Sequence, residues 1–289
     1  MTQIITHLHE ISDQYKALFV DLWGCVHNGQ TPFPGAVDAL MAYRERGGIV
    51  VLLTNAPRHR HSVAEQLAHI GVPEACWDTI TTSGDSARAA MYQGAVGEKV
   101  YFIGDPNDQS FFDPLKIIEN PVSITQVPLE EAEGIVCTGP FDVHADPSEL
   151  RPQLLYAKQK GMKFLCANPD IVVDRGETRE WCAGALAALY TEMGGESLYF
   201  GKPHPPIYDL ARKRLAQIAD ISDDRILCIG DGLGTDVSGA GGESLDCLFI
   251  TGGLAAAETG TTDQPDPEKL NAVLDAAQQN PRYSIGFLR

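Results

Sequence analysis

The sequence predicts an α/β protein, a parallel-sheet core interrupted by a smaller α/β insertion. Three observations carry that reading. Short apolar runs alternate with stretches of helical spacing, the pattern of strands joined by crossover helices. Several of the runs end in polar or glycine-rich turns. The alternation persists through a middle section and then resumes, with no internal repeat and no low-complexity linker. The 289 residues are enough for one large domain or two ordinary ones, and a 44% hydrophobic share can fill their cores.

Taken in order, the first sixteen residues read as a short helix packing on the domain. Ala17 to Val20 is a strand. Pro34 opens a helix at a favoured first-turn position, with Val37, Leu40 and Met41 at helical spacing and Gly47 just past its end. Ile49 to Leu53 is an apolar run that ends in Thr54-Asn55. A helix over about 61 to 70 stops at Gly71, and Thr79 to Thr82 is a further strand. In the middle section, Lys99 to Ile103, Ile135 to Thr138 and Met162 to Ala167 read as strands. Pro147 to Lys160 and Glu180 to Glu192 read as helices. The alternation resumes with Leu198 to Phe200 (strand), Pro206 to Ile218 (helix), Arg225 to Ile229 (strand), Asp236 to Gly241 (short helix) and Cys247 to Thr251 (strand). A last helix runs from about Pro267 to Gln279.

Composition narrows the function. The formal net charge of −17 argues against a nucleic-acid partner or an anionic membrane surface, since both need clustered Lys and Arg. It leaves room for an anionic substrate, because a bound cation reverses the local field. No apolar run approaches the ~20 residues of a membrane span, and the N-terminal stretch has no secretory pattern. The seven cysteines are scattered, form no C-x-x-C pair and mostly lie in apolar runs. They read as small hydrophobes of a cytoplasmic protein without a disulfide framework or zinc site.

Four stretches end apolar strands in polar or glycine residues: Asp21-Leu22-Trp23-Gly24, Thr54-Asn55, Gly201-Lys202-Pro203, and Gly230 to Asp236. In open parallel sheets, ligands bind outside the carboxyl ends of the strands. If these strands are neighbours, the carboxylates of Asp21, Asp231 and Asp236, the Lys202 ammonium and the Thr54 hydroxyl meet in one crevice. Two carboxylates 4 Å apart repel by about 4 kcal/mol at an effective dielectric near 20. Three stay ionised only with a divalent cation, and oxygen ligands favour Mg²⁺. Lys202 and Thr54 would hold the remaining oxygens of a phosphate, and a carboxylate can form a covalent phospho-intermediate.

This constellation resembles the haloacid dehalogenase superfamily, specifically its class IIA, nitrophenyl-phosphatase-like branch. The resemblance covers nearly the whole chain. It implies a Rossmann-like three-layer core over residues 1–82 and 180–289, with an α/β cap of the C2 type over 83–179. Asp21 then matches the nucleophile, Thr54 the phosphate-binding hydroxyl with Asn55 as its neighbour, and Lys202 in "GKPHPPIY" the lysine that orients nucleophile and phosphate. Asp231 and Asp236 in "GDGLGTD" match the acids that hold Mg²⁺. The stretches "TSGDSARAAMYQG" and "LCANPDIVVDRG" resemble that branch near the entry and exit of its cap, where Asn168 and Asp170 would reach the substrate. The implied function is a Mg²⁺-dependent phosphohydrolase of small phosphorylated metabolites, with the cap excluding water and setting specificity. A homodimer stays open.

Trp23 departs from the pattern, because the family's phosphatases usually carry a second, proton-shuttling aspartate there. Tryptophan cannot shuttle protons, although its backbone carbonyl can still ligate the metal. Positioned acid/base catalysis is worth roughly 10²–10⁴-fold, so release from a phospho-enzyme should be slow unless another group helps. His27 is the first candidate for that help, with His204 and His59 behind it. The plainer alternatives are a packing histidine at 27, a space-filling Trp23 and a solvated helix start at Arg58 to His61. Two other functions stay open: a metal-independent dehalogenase-like hydrolase, which carries an aromatic residue at the Trp23 position, and a phosphate-ligand binding protein that has lost turnover.

Overall fold

Fourteen strands and nine α-helices alternate along the residues described by the computed structural model, which are 2–106, 108–113, 120–175 and 178–289. The first elements are β1 (Gln3–Ile4), β2 (Ala17–Val20), α1 (Pro34–Glu45), β3 (Ile49–Thr54), α2 (Arg60–Ile70), β4 (Thr79–Thr82) and α3 (Ser83–Tyr92). There follow β5 (Lys99–Ile103), β6 (Thr125–Gln126), β7 (Gly134–Cys137), α4 (Arg151–Gln159), β8 (Lys163–Cys166), β9 (Val172–Arg175), β10 (Thr178–Trp181), α5 (Ala183–Glu192) and β11 (Glu196–Tyr199). The chain ends with α6 (Pro205–Ala216), β12 (Ile226–Gly230), α7 (Ser238–Gly242), β13 (Asp246–Ile250), α8 (Ala256–Thr259), α9 (Pro267–Ala276) and β14 (Tyr283–Ile285). Gly176, in one of the stretches that resembles the family, lies outside the described residues. No helix among the described residues is long and apolar enough to cross a membrane.

The chain divides into two units. The first comprises residues 2–54, 64–81 and 208–289. Its sheet has the order β1-β14-β13-β12-β2-β3-β4. The pairings from β1 through β14, β13, β12 and β2 to β3 are all parallel. Strands buried on both faces read as unbroken apolar runs rather than alternating ones. That is why Ala17, Leu18, Phe19 and Val20 are each at most 1% exposed. The same burial explains the Val50 to Leu53 and Ile226 to Ile229 runs.

The second unit comprises residues 55–63 and 82–207. Its main sheet, β11-β8-β7-β5-β6, is parallel throughout, and β9 with β10 forms a separate antiparallel hairpin. Alternate residues of each strand serve opposite faces. Ile103, Ile135, Cys137, Phe164 and Cys166 pack with Leu154 of α4 and with Leu186 and Tyr190 of α5. Val100, Val136 and Leu165 face the other way and pack with Ala87 and Met91 of α3. Each face of the sheet is therefore covered by helices, giving a three-layer α/β unit.

The structure differs from the sequence reading in how several segments fold. The segment 180–207 groups with the second unit rather than with the first. β11 extends the second sheet in register from Glu196↔Lys163 to Tyr199↔Cys166, and α5 supplies Ala183, Leu186 and Tyr190 to the same core. The N-terminus is a two-residue strand paired with β14, followed by two short 3-10 turns at Leu8–Glu10 and Ser12–Gln14, in place of a helix. Glu180 and Trp181 close the hairpin, and the helix assigned to them begins only at Ala183.

Candidate active site

The order of the first unit's sheet reverses at β2. The chain proceeds from β2 to β3 and β4 on one side, and returns at β12 on the other. Such a switch point leaves a crevice at the carboxyl ends of the strands. Asp21 follows β2, Asp231 follows β12, and Thr54 is the last residue of β3. The backbone N–H of Asp21 donates to the Ile229 carbonyl at 2.8 Å, which ties the end of β2 to that of β12. Asp21, Thr54, Asp231 and Asp236 are all buried, at 9%, 1%, 5% and 5% exposure.

Ligand atoms of Asp21, Asp231 and Cys25 all lie within 4.8 Å of one another. Two ionised carboxylates at that separation repel by about 3 kcal/mol at an effective dielectric of about 20, and a divalent cation among them reverses the sign. The donor set therefore fits a metal ion. Asp231 is held in place, because its Oδ2 accepts from the Leu254 N–H at 3.0 Å. A Cβ on Gly24 would stand 2.1 Å from that oxygen and one on Gly253 2.0 Å from it, so neither position admits a side chain. Gly24 also has φ +71°, a conformation natural to glycine. Asp236 does not join this grouping. Its Oδ2 accepts from Gly232 N at 3.1 Å and Thr235 Oγ1 at 3.3 Å, so it braces the loop that presents Asp231. A Cβ on Gly230 would meet the Asp236 carboxyl carbon at 2.1 Å.

Trp23 packs within its own loop. A Cβ on Gly29 would lie 2.3 Å from the indole, and the indole stands edge-on to His27 with ring centres 5.2 Å apart. His27 is 1% exposed and its Nδ1 accepts from the Gly29 N–H at 2.9 Å. Burial pushes its pKa down to about 4. The ring is therefore neutral at pH 7 and carries its proton on Nε2. The ring packs inside the turn, and the depressed pKa leaves it without the imidazolium proton at neutral pH. The depressed value has a consequence for stability. The unfolded chain takes up a proton near pH 6.5 that the folded chain refuses until about pH 4. Stability should therefore be complete above about pH 6.5 and fall by up to about 3 kcal/mol between there and pH 4. The urea midpoint of metal-free protein should show that slope, and His27→Asn should flatten it. An equal slope in both proteins would assign it to other groups.

The remaining residues singled out in the sequence fall in the second unit, where Asn55, Asn168, Asp170 and Lys202 are linked by hydrogen bonds. Asn55 Oδ1 accepts from the Lys202 N–H at 2.7 Å, while its Nδ2 donates to the Lys202 carbonyl at 3.1 Å and to Asp170 Oδ1 at 2.7 Å. Asn168 Oδ1 accepts from Asp170 N at 3.0 Å. Asn55, Asn168 and Lys202 are 3%, 9% and 2% exposed. Gly201 gives this clamp room, since a Cβ there would meet Asn55 Oδ1 at 2.4 Å. The Asn55 side-chain amide is thus engaged in positioning Lys202 and Asp170. Asn55→Ala would leave buried Lys202 backbone groups unpaired and should cost about 1–3 kcal/mol in urea unfolding. A loss below about 0.5 kcal/mol would show the clamp to be dispensable. His204 stacks on Tyr199 at 4.8 Å, with burial lowering its pKa. His59 Nε2 lies 3.8 Å from Asp85 Oδ1.

Sequence reasoning missed two features. Cys25 was grouped with the core cysteines, although its place four residues after Asp21 on a glycine turn was a usable signal. The Asn55 clamp had none, because its partner Lys202 is 147 positions away.

An open parallel sheet with a buried carboxylate at its switch point, a second acid one strand over and a strand-end threonine is the arrangement of an α/β protein whose candidate ligand site lies at the carboxyl ends of its strands. The haloacid dehalogenase-like hydrolase family model matches residues 18–117, and a second, HAD-hydrolase-like model matches 199–276. A haloacid dehalogenase-like hydrolase from Brucella suis 1330 is 37% identical, with a TM-score of 0.86 over 99% of this chain and 100% of that one. The chain belongs to the haloacid dehalogenase-like hydrolase family. The human glycerol-3-phosphate phosphatase is 26% identical, over 76% of this chain and 74% of its own. A glycerol phosphate phosphatase of Mycobacterium tuberculosis, solved in complex with magnesium, shares the fold at 23% identity, with a TM-score of 0.64 over 90% of this chain and 74% of its own.

Proposed function

We propose that the protein is a Mg²⁺-dependent phosphatase of small phosphorylated metabolites that acts through an aspartyl-phosphate on Asp21. The observation that carries this reading is the buried approach of Asp21 and Asp231 at the sheet's switch point. The phosphatases among its relatives support it. Asp21, Asp231 and the Trp23 carbonyl would hold the ion, with Asp236 fixing the loop. When bound, the ion offsets the charge of carboxylates and phosphoryl oxygens.

The chain's own residues account for the rest. A carboxylate oxygen of Asp21 forms a bond to phosphorus as the ester P–O bond breaks, and the leaving oxygen departs with the bonding pair. Water then attacks phosphorus, loses a proton to solvent, and frees both phosphate and the Asp21 carboxylate. The Thr54 hydroxyl donates to a phosphoryl oxygen, and a positive charge toward the phosphate is the role that the family resemblance implies for Lys202. Neither Trp23 nor the neutral His27 supplies the leaving oxygen with a proton. Phosphates with acidic leaving groups should therefore react fastest, with sugar, nucleotide and aryl phosphates as the substrate classes to compare.

Phosphate release across a panel of such esters tests the proposal. Activity should appear with Mg²⁺, fall to background in EDTA and return on adding Mg²⁺. A panel with no hydrolysis under any metal, or hydrolysis indifferent to EDTA, would refute it.

A further inference from the structure

All seven cysteines are buried thiols outside any disulfide, but they do not share one environment. Cys137 and Cys166 sit in the apolar core of the second unit, where burial pushes their thiols well up. Cys25 instead faces acid oxygens, with its Sγ within 4.8 Å of both Asp21 and Asp231. The loop brings it there deliberately. The Leu22 carbonyl accepts from Cys25 N at 3.3 Å, Val26 N at 2.8 Å and His27 N at 3.1 Å. Gly24, at φ +71°, turns the chain tightly against the Asp231 carboxylate. Its sulfur thus lies beside two acids as well as inside the turn.

We propose that Cys25 is a third protein ligand at the Asp21–Asp231 pair, so that this site takes a borderline divalent ion such as Zn²⁺ or Co²⁺ through sulfur as well as oxygen. The inference rests on the metal-site reading of Asp21 and Asp231 given above and deepens it. Two carboxylates and a carbonyl suit a hard ion. Adding a thiolate shifts the preference toward softer ones. In a tetrahedral Zn²⁺ site with bonds of about 2.0–2.3 Å the ligand atoms lie about 3.3–3.8 Å apart, so a spread at the 4.8 Å bound closes by about 1 Å on binding. Ligation is balanced without redox change: the incoming ion takes up a sulfur electron pair, and the thiol proton passes to solvent. Zn²⁺ held through sulfur would compete with Mg²⁺ for the same acids and hold the protein in a form insensitive to added Mg²⁺.

The test is optical and needs no turnover. Metal-free protein is titrated with Co²⁺, and two regions are read: the visible bands that report bound cobalt and the near-ultraviolet sulfur-to-cobalt charge-transfer band. The wild-type protein should show both. Cys25→Ser should keep the visible bands and lose the charge-transfer band, and Asp231→Asn should weaken both. Zn²⁺ binding, measured by competition against Co²⁺, should weaken at least about tenfold in Cys25→Ser, since even loss of a group that merely orients a ligand costs 10–100-fold. Cobalt bound by the wild type without a charge-transfer band would overturn the role of Cys25 and leave the acid site standing. No bound cobalt at all would overturn both. Because the wild-type spectrum alone decides the first question, a folding defect in Cys25→Ser would not blur the result, and Cys25→Val provides a second thiol-free control.

Discussion

Asp21→Asn removes phosphate release by about 10⁴-fold or more while leaving the fold intact. The size of the loss follows from the residue's proposed role. Deleting the nucleophile of a covalent mechanism typically costs as much as dismantling the whole catalytic group. An amide at this position cannot form the aspartyl-phosphate, and it also removes one of the two acid charges that attract the ion. Structure should be preserved, because Asn has the shape of Asp and the backbone bond from residue 21 to the Ile229 carbonyl does not involve the side chain. Asp231→Asn offers the informative comparison. It weakens the metal site but leaves the nucleophile, so its activity should partly recover at high Mg²⁺. Asp21→Asn should not recover at any concentration. Near-wild-type turnover in Asp21→Asn, with folding verified by circular dichroism, would remove Asp21 from the reaction.

Trp23→Asp should raise turnover of alkyl phosphates by about 10²–10⁴-fold, the usual worth of a positioned acid/base, or about 3–5 kcal/mol of barrier. Nitrophenyl phosphate, whose leaving oxygen needs no proton, should gain far less in the first step. The contrast between the two substrates is the signature. It arises because the wild-type loop has no proton donor: Trp23 packs on Gly29 and His27, and His27 is buried and neutral. The substitution has a structural cost, since the indole's contacts with both residues are lost. That cost should stay below the about 3–5 kcal/mol of a fully buried aromatic, because Trp23 is only partly buried. If folded Trp23→Asp gains nothing on either substrate, proton supply does not limit the wild-type enzyme.

The parts of the fold that were legible in the sequence are those buried on both sides. β2, β3, β12 and β13 are unbroken apolar runs, and burial of a parallel strand requires that pattern. The parts that escaped are short or marginal. β1 has two residues and β14 three, too few for any period to register. The β9–β10 hairpin is held across its strands by Arg175 with Glu180 and Arg179 with Asp174, so its residues read as solvated charges rather than as a strand pattern. The late boundary of the second unit depends on β11 pairing with β8, and nothing local to residues 196–199 specifies that partner. In the site, Asp21, Thr54 and Asp231 were legible because each is the polar end of an apolar strand. The Asn55 hydrogen bonds and the approach of Cys25 to the two acids depend on contacts that only folding creates.

The central claim is that Asp21 carries the phosphoryl group during turnover. Acid quench of the working enzyme, followed by peptide mapping by mass spectrometry, tests it directly. With an aryl phosphate as substrate, whose first step needs no proton donor, the account predicts a phosphoryl group on the peptide containing Asp21, building up in the steady state because Trp23 leaves hydrolysis of the intermediate without a base. Rapid phosphate release with Asp21 unmodified at every quench time would contradict it.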